Sequence, residues 1–546
     1  MSLEPACRPQ RAHAPKPKAL VVCAHLRPGR DKRRTTYLMQ PISGLHVASL
    51  IDQTLFEVGL HHEDWHGPLE VADCKGYDLV FLSGLQVDFD RLRQLSFYFR
   101  RSGAVVVAGG SICTTFPEFA SQFFDAVCAG GVDSVPAVVA DFLKGSLKPI
   151  YRSPIAAISS YALDYSLFTR SRISPVVHLI EATRGCRFKC SFCVIPTEVG
   201  GHVSYDFDQL TKTIENAIST SPRLSFRRLY PIFMLLDNNF SDDREHMLRV
   251  CAYLKSNPRV RGWVALVTQN ILHDRELIGH LAGSKCLGLF VGLESFDADL
   301  LRRYRKTQNL SKRHDVIDDI AYSESQGITI TYGYLFDPRY QKASEMERQI
   351  RAIAENPLIP MPIYLSVVAP LAGTESFWDD LDSGRLAPNL RLRDLDGETI
   401  AYSQLADRPD AIVAFVEKIF RRPWTVVGRF GVLLKTLRRL ARSGTLNPVR
   451  WYFMAVGTLH CFIWSRGTPS RSRSYLAGSD TLDPQYFERP DDLGDRDRAT
   501  YFDPIYLTDA AGGPSEWLKP YCLRRASEHV RRGGSNRAPV REAGIP

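Results

Sequence analysis

The sequence predicts an α/β protein: a doubly wound, Rossmann-like domain, then a partial (βα)6 TIM-like barrel, then a mainly helical C-terminal region. Three observations predict it. From Lys18 to about residue 150, short apolar runs alternate with amphipathic segments, the pattern of a parallel sheet covered by helices. Six more apolar runs recur between about residues 171 and 380, again with amphipathic segments between them. Past Trp378 the alternation stops, and aromatic-rich amphipathic stretches take over.

In the first domain, Lys18–Ala24 reads as a buried strand and residues 43–59 as a helix closed by Gly59. Asp78–Ser83 is a strand, Asp88–Gly103 a helix, and Ala104–Ala108 a strand followed by Gly109 and Gly110. Ala126–Cys128 is a short strand and Ser134–Leu143 a helix. Ligands of such sheets sit beyond the carboxyl ends of the strands. Ser83-Gly84-Leu85 and Gly109-Gly110 lie at two of those ends. Arg30, Lys32, Arg33 and Arg34 follow the first strand. Residues 151–170 read as a linker.

The barrel strands are expected at Val176–Thr183, Pro231–Asp237, Gly262–Thr268, Gly288–Leu293, Ile328–Leu335 and Tyr364–Val368. Chemistry in parallel barrels sits at the carboxyl ends. There the chain places Asp237-Asn238-Asn239, Thr268-Gln269-Asn270 and Glu294-Ser295. Asn239 and Ser295 also suit helix N-caps. Glu294, directly after Val291-Gly292-Leu293, needs a partner if buried.

Residues 381–523 read as a helical and irregular cap over the barrel mouth. Helices are expected at Ala411–Phe420 and Val427–Arg442. The second carries Arg429, Lys435, Arg438, Arg439 and Arg442, which suits a packed helix with a solvated basic face or a helix lying on a membrane surface. Residues 1–17 and 524–546 read as disordered tails.

Composition narrows the function. The net charge is +9 over 546 residues, with 44% hydrophobic and 24% charged residues. The tails carry +3 (residues 1–18) and +4 (residues 524–546), so the body is nearly neutral and offers no case for a nucleic-acid-binding surface. The start reads as no signal peptide, and no apolar run reaches the ~18 residues of a membrane span. A cytoplasmic protein with mostly reduced cysteines is expected.

The chemistry concentrates in Thr183–Cys193, where Cys186, Cys190 and Cys193 stand in C-x3-C-x2-C spacing. Soft thiolates select iron–sulfur, zinc or copper. Three cysteines leave one iron of a four-iron cluster open, whereas a structural zinc needs a fourth ligand, for which His202 is available. Packing cysteines are the third reading.

This spacing, with Phe192 before the third cysteine, resembles the radical S-adenosylmethionine (SAM) superfamily. The resemblance implies a 4Fe-4S cluster held by the three cysteines, and SAM chelated to the open iron and cleaved to a 5′-deoxyadenosyl radical. Ser83-Gly84-Leu85 and Gly109-Gly110 resemble the S-x-L and G-G elements of cobalamin-binding domains. The D-x-H-x-x-G element of such domains is absent; the chain reads Cys23-Ala24-His25-Leu26-Arg27-Pro28, so the lower cobalt ligand is His25 or no protein group. Asp64-Trp65-His66-Gly67 does not complete the element.

Leu235-Leu236-Asp237-Asn238-Asn239-Phe240 resembles the D-D-N-F element of cobalamin radical SAM proteins, with Asn238 for the second Asp. Leu289–Ser295 resembles their G-x-E-S element, with Lys306 where a lysine follows. Pro370-Leu371-Ala372-Gly373-Thr374 resembles P-x-P-G-T, with Ala372 for the second proline. By carry-over, Glu294 contacts the SAM ribose or adenine, and Asp237 and Asn239 its methionine end. Gln269 is a further rim group for SAM.

The resemblance implies a cobalamin-dependent methyltransferase. It methylates an sp3 carbon or phosphinate phosphorus of a small biosynthetic intermediate, by way of the deoxyadenosyl radical and methylcobalamin. The alternatives are a non-methylating relative (cyclisation, ring contraction or other rearrangement) and an iron–sulfur electron carrier. An external flavodoxin or ferredoxin is implied as reductant. No catalytic residue beyond the cluster ligands is singled out.

Overall fold

A computed structural model of the chain describes residues 15–25, 42–154, 161–169, 177–223, 225–310, 315–444, 446–464 and 490–531. The basic run Arg30–Arg34, the first 14 residues and residues 532–546 lie outside the described residues.

The first sheet has six parallel strands: β1 (Lys18–Cys23), β2 (Glu57–His62), β3 (Leu79–Gly84), β4 (Val105–Gly110), β5 (Ala126–Gly130) and β6 (Ile150–Ser153), in the order β2-β1-β3-β4-β5-β6. β1, β3 and β4 are almost continuously apolar because helices cover both faces. Two edge strands escaped the sequence reading. The helix expected over residues 43–59 is Ile42–Leu50 only, and Gly59 lies inside β2. A Cβ at Gly59 would come within 3.1 Å of Leu20 Cδ1, so this glycine serves close strand packing and does not end a helix. β6 falls within the expected linker; its first residue, Ile150, pairs with Val127 of β5.

A two-stranded antiparallel hairpin, β8 (Thr183–Gly185) with β9 (His202–Ser204), follows β7 (His178–Ile180). The second sheet adds β10 (Ile232–Leu235), β11 (Gly262–Thr268), β12 (Cys286–Glu294), β13 (Thr329–Phe336) and β14 (Tyr364–Val367) to β7. Its order, β14-β13-β12-β11-β10-β7, is sequential and all parallel, the partial six-stranded barrel expected. Helices Phe207–Thr220, Arg244–Ser256, Arg275–Gly283, Val316–Ser325 and Ala343–Glu355 return the chain along its outside.

The C-terminal region corrects the sequence reading. Among the described residues its helices Arg429–Arg442 and Pro448–Thr458 lie away from the mouth. Val449 packs with Val177, Ile232 and Leu287 at the amino ends of the strands. The Arg450 guanidinium lies against Gly327, just before β13, and Cys461 Sγ donates to Ile363 O, just before β14, at 2.8 Å. Arg439 Nε pairs with Glu324 at 2.9 Å, and Lys435 Nζ caps the C-terminus of helix Ala343–Glu355 through Asn356 O at 2.6 Å. Helices Arg429–Arg442 and Pro448–Thr458 therefore close the floor. A half-barrel open at its base would expose the apolar ends of its inner strands; Val449 and Met454 cover them.

Residues 385–402 and 490–531 instead clasp the first domain. Arg93, fully buried, donates to Asp90 and to the carbonyls of Thr500 and Asp503, and Arg393 Nε meets Asp90 at 2.7 Å. Trp517 stacks on Phe119 at 4.0 Å. The final helix runs Lys519–Arg531, so ordered helix replaces the first part of the expected disordered tail; Arg525 pairs with Asp382 at 2.8 Å and fastens it.

Candidate active site

The three cysteines lie between β8 and β9, on the loop leaving the first barrel strand, half-buried and unpaired with one another. Polar groups from neighbouring strand ends hold this loop. Asp237 Oδ1 accepts from Ala182 N at 2.8 Å and from the amide and hydroxyl of Thr183. Asn238 Oδ1 accepts from Gly185 N at 2.8 Å, and Asp242 Oδ2 from Arg187 N at 2.6 Å. Further along, Ser191 N donates to Tyr304 O at 3.0 Å, and the Phe192 ring meets Tyr304 edge-on at 5.2 Å. Tyr304 is braced in turn by Asp337, 3.0 Å from its hydroxyl, and Asp337 by Arg339.

Among the described residues no three His, Cys, Asp or Glu converge on a single-ion position. The sulfurs nevertheless share one neighbourhood: Cys190 and Cys193 both act on the Cys186 thiol. Burial pushes Cys186 up to about 12 and Cys193 up to about 11. Thiolates there need a bound cation beside them. Three thiols suit a cluster with one open iron, whereas a structural zinc needs a fourth ligand, and His202 lies instead in the field of Asp243 and His246.

Lys306 sits against the cysteines and Phe192. Its ammonium is buried, 2.7 Å from Glu294 Oε2 and 6.0 Å from the Phe192 ring centroid. Burial opposes its charge, but Glu294 and then Cys190 outweigh that and raise its pKa. Glu294 ends β12 at φ 58°, where the β12–β13 register shifts. This left-handed conformation is rare for a residue with a side chain and costs of order 1–3 kcal/mol, a mark of functional sites. Gln308 Nε2 is 3.5 Å from Cys190 Sγ. We expect Glu294→Gln to leave the Lys306 ammonium buried and unpaired, at a cost of about 3–5 kcal/mol. Adding Lys306→Met should restore most of that in denaturant unfolding; equal stability of Glu294→Gln and the parent would contradict the pairing.

Asp237 and Asn239, expected to meet the methionine end of SAM, make these contacts within the chain. Asp237 is wholly buried, its Oδ1 taken by the loop and its Oδ2 left without a partner among the described residues; burial lifts its pKa to about 7 against those hydrogen bonds. Asn239 Oδ1 accepts from Thr268 N at 3.2 Å and Ser241 Oγ at 2.7 Å, and its Nδ2 donates to Asp242. Both shape the loop from behind, since two strand ends of backbone groups need partners there. Gln269, also buried, has no side-chain hydrogen bond among the described residues, so its amide is available to a ligand.

In the first domain, Ser83 pairs in register with Gly109, and Gly84 with Gly110. Gly110 has φ 101°, and a Cβ there would lie 2.4 Å from Gly84 O. Leu85 beside it is 68% exposed. Among the described residues these strand ends form a partly exposed, partly apolar ledge. His25 donates its amide to Glu63 Oε2 at 3.0 Å, and its Nδ1 is 3.7 Å from Asp88.

The ledge abuts the cysteine loop. Ser111, following Gly110, donates to Glu198 at the end of that loop, and Gln86 Nε2 reaches Ser111 Oγ at 3.1 Å. Burial raises the Glu198 pKa despite the serine. Gln86 also bonds both backbone groups of Ala372: Nε2 donates to its carbonyl at 2.9 Å, and Oε1 accepts from its amide at 2.8 Å. The departure at Ala372 is thereby explained, for proline has no N–H to give. Ala372→Pro should leave Gln86 Oε1 buried without its donor and destabilise the protein by about 1–3 kcal/mol. Denaturant unfolding checks this; a change under about 0.5 kcal/mol, as for a surface site, would contradict it.

Sequence reading missed Gln86, Ser111, Glu198 and Gln308. Gln86 and Ser111 directly follow the two glycine elements, and that adjacency was the available signal. Gln308 and Glu198 carried none.

A sequence model of the Radical SAM superfamily matches residues 180–340. The chain is 26% identical over 321 residues to bacteriochlorophyllide d C-8(2)-methyltransferase of Chlorobaculum tepidum, covering 56% of this chain and 69% of the relative. The C-12(1)-methyltransferase of the same organism is 24% identical over 353 residues, covering 63% and 74%. The hopanoid C-3 methylase of Methylococcus capsulatus is 26% identical over 257 residues, 45% of each chain. The cobalamin-dependent SAM radical enzyme OxsB, solved with aqua-cobalamin and SAM bound, shares the fold: TM-score 0.55 at 14% identity, over 96% of this chain and 82% of that one.

Proposed function

We propose, since this chain belongs to the cobalamin-dependent, methyltransferase-like radical SAM family, that it methylates a non-nucleophilic carbon of a small biosynthetic intermediate. It is a methyl-transferring enzyme whose cofactors are a 4Fe-4S cluster, SAM and cobalamin. When bound, these groups supply hydrogen-atom abstraction and a transferable methyl group. The observation that carries the reading is the junction of the glycine ledge with the cysteine loop through Ser111 and Glu198, which brings the two elements side by side.

The chain's residues divide the work. Cys186, Cys190 and Cys193 hold the cluster, and Asp237 and Asn238 fix the loop that carries them. Glu294, oriented by Lys306, and Gln269 meet the nucleoside side of SAM. Ser83, Leu85, Gly109 and Gly110 border the corrinoid. Gln86 holds the two domains in register, so that a substrate radical would form within reach of the methyl donor. A carbon acceptor is favoured over phosphorus because the relatives' names each specify a carbon position. The reading carries with it a cytoplasmic location and an external low-potential reductant of flavodoxin or ferredoxin type.

The test needs no known substrate. Reconstituted protein with cobalamin, SAM and excess titanium(III) citrate should form S-adenosylhomocysteine as well as 5′-deoxyadenosine. Deoxyadenosine alone, with no S-adenosylhomocysteine, would favour a non-methylating reaction and overturn the proposal.

A further inference from the structure

Helix Arg429–Arg442 on the barrel floor buries only Val432 and Thr436. Its inward cations are spent: Lys435 on the carbonyls ending helix Ala343–Glu355, and Arg439 on Glu324. Outward, Phe430, Leu433 and Leu437 fall at i, i+3 and i+7, one stripe of a helix, and Phe430 is 77% exposed. Leu446, 90% exposed, continues the apolar surface, and exposed Trp451 and Tyr452 border it. Among the described residues nothing covers Phe430 or Leu446, and Leu433 and Leu437 stay exposed.

The surrounding charge is one-sided. Residues 418–479 contain twelve Lys and Arg and no Asp or Glu. Arg422, Arg438 and Arg442 stand exposed around the stripe. Such a face repels a second copy of itself. Its occupant must be apolar and negatively charged together.

We propose that this face seats the enzyme on an anionic bilayer surface. Phe430, Leu433, Leu437 and Leu446 enter the acyl boundary, Trp451 and Tyr452 lie at headgroup level, and the arginines meet lipid phosphates. The attachment is peripheral, since among the described residues no helix is long and apolar enough to cross a membrane. The face lies at the amino ends of the barrel strands, opposite the cysteine loop, so the seated enzyme turns its active site towards water. Bilayer attachment thus fixes location and leaves substrate entry free.

Sedimentation of the full chain with vesicles tests this. The parent should bind vesicles of three parts phosphatidylcholine to one part phosphatidylglycerol, not phosphatidylcholine alone, and added salt should weaken binding. Arg422→Gln with Arg438→Gln should lose about fivefold in partitioning for each arginine. Phe430→Ser with Leu437→Ser should also release the protein, and both variants should keep the parent's thermal unfolding. Failure of the parent to bind, or equal binding by parent and variants, would overturn the proposal. A concentration-dependent dimer dissolved by the apolar variant would assign the face to a second copy. Full protection of residues 429–442 from hydrogen exchange without vesicles would assign it to the chain itself; either result rejects the lipid.

Discussion

Replacing Cys186, Cys190 and Cys193 together by alanine should leave a folded protein that cleaves no SAM above background. Most of the hydrogen bonds that hold their loop come from Asp237, Asn238 and Asp242 and from the backbone of Tyr304, and only those to the thiols, from Gln308 and the Phe188 and Ile195 amides, are lost with the cysteines. The loop therefore keeps its course when the thiols go. The thiols are also poorly placed as mere packing groups, being half-buried in a polar setting beside Lys306 and Gln308. The cluster absorbance and 5′-deoxyadenosine formation should vanish together, while the unfolding midpoint stays within a few degrees. A collapse in stability would mean that the cysteines are structural; retained cleavage would mean that the cluster sits elsewhere.

The second large effect separates two adjacent glycines. Gly110→Ala should disrupt the first domain, because the added methyl would sit 2.4 Å from a backbone oxygen at a φ of 101°. Neither flexible side chains nor a rotamer change can relieve a clash with backbone. At Gly109 the nearest atoms to a built Cβ, on Cys128, are 3.9 Å away, ordinary contact. Gly109→Val should therefore fold, yet fill the ledge and lose corrinoid by at least tenfold, roughly the effect of one well-placed group worth 1.4 kcal/mol. Thermal unfolding and corrinoid retained after desalting measure the two effects. Unchanged corrinoid binding by a folded Gly109→Val protein would move the corrinoid off this ledge.

All six barrel strands were legible because a buried parallel strand is a near-continuous apolar run, and each is bounded by charge, glycine or proline. The edge strands β2 and β6 were not. An edge strand is covered on fewer sides, so Glu57–His62 carries polar residues and looks like a helix end. The floor helices show a different limit. Their aromatic content signalled burial, but periodicity cannot say which end of a barrel a helix covers. The cysteines were readable because three thiols in eight residues suit few chemistries. Asp237 and Asn239 were read at the correct strand ends, but their loop partners were not foreseen: a polar residue at a strand end serves a ligand or the next loop equally well in sequence. Ala372 was the reverse case, a departure whose cause, Gln86, lies 286 residues away.

The measurement that bears most directly on the central claim is the ultraviolet–visible spectrum of anaerobically reconstituted protein, mixed with hydroxocobalamin and desalted, beside the triple cysteine variant. Near-stoichiometric corrinoid in both, with the iron–sulfur band only in the parent, is the predicted result. A cluster band without retained corrinoid would contradict the two-cofactor account and leave the glycine ledge to another ligand.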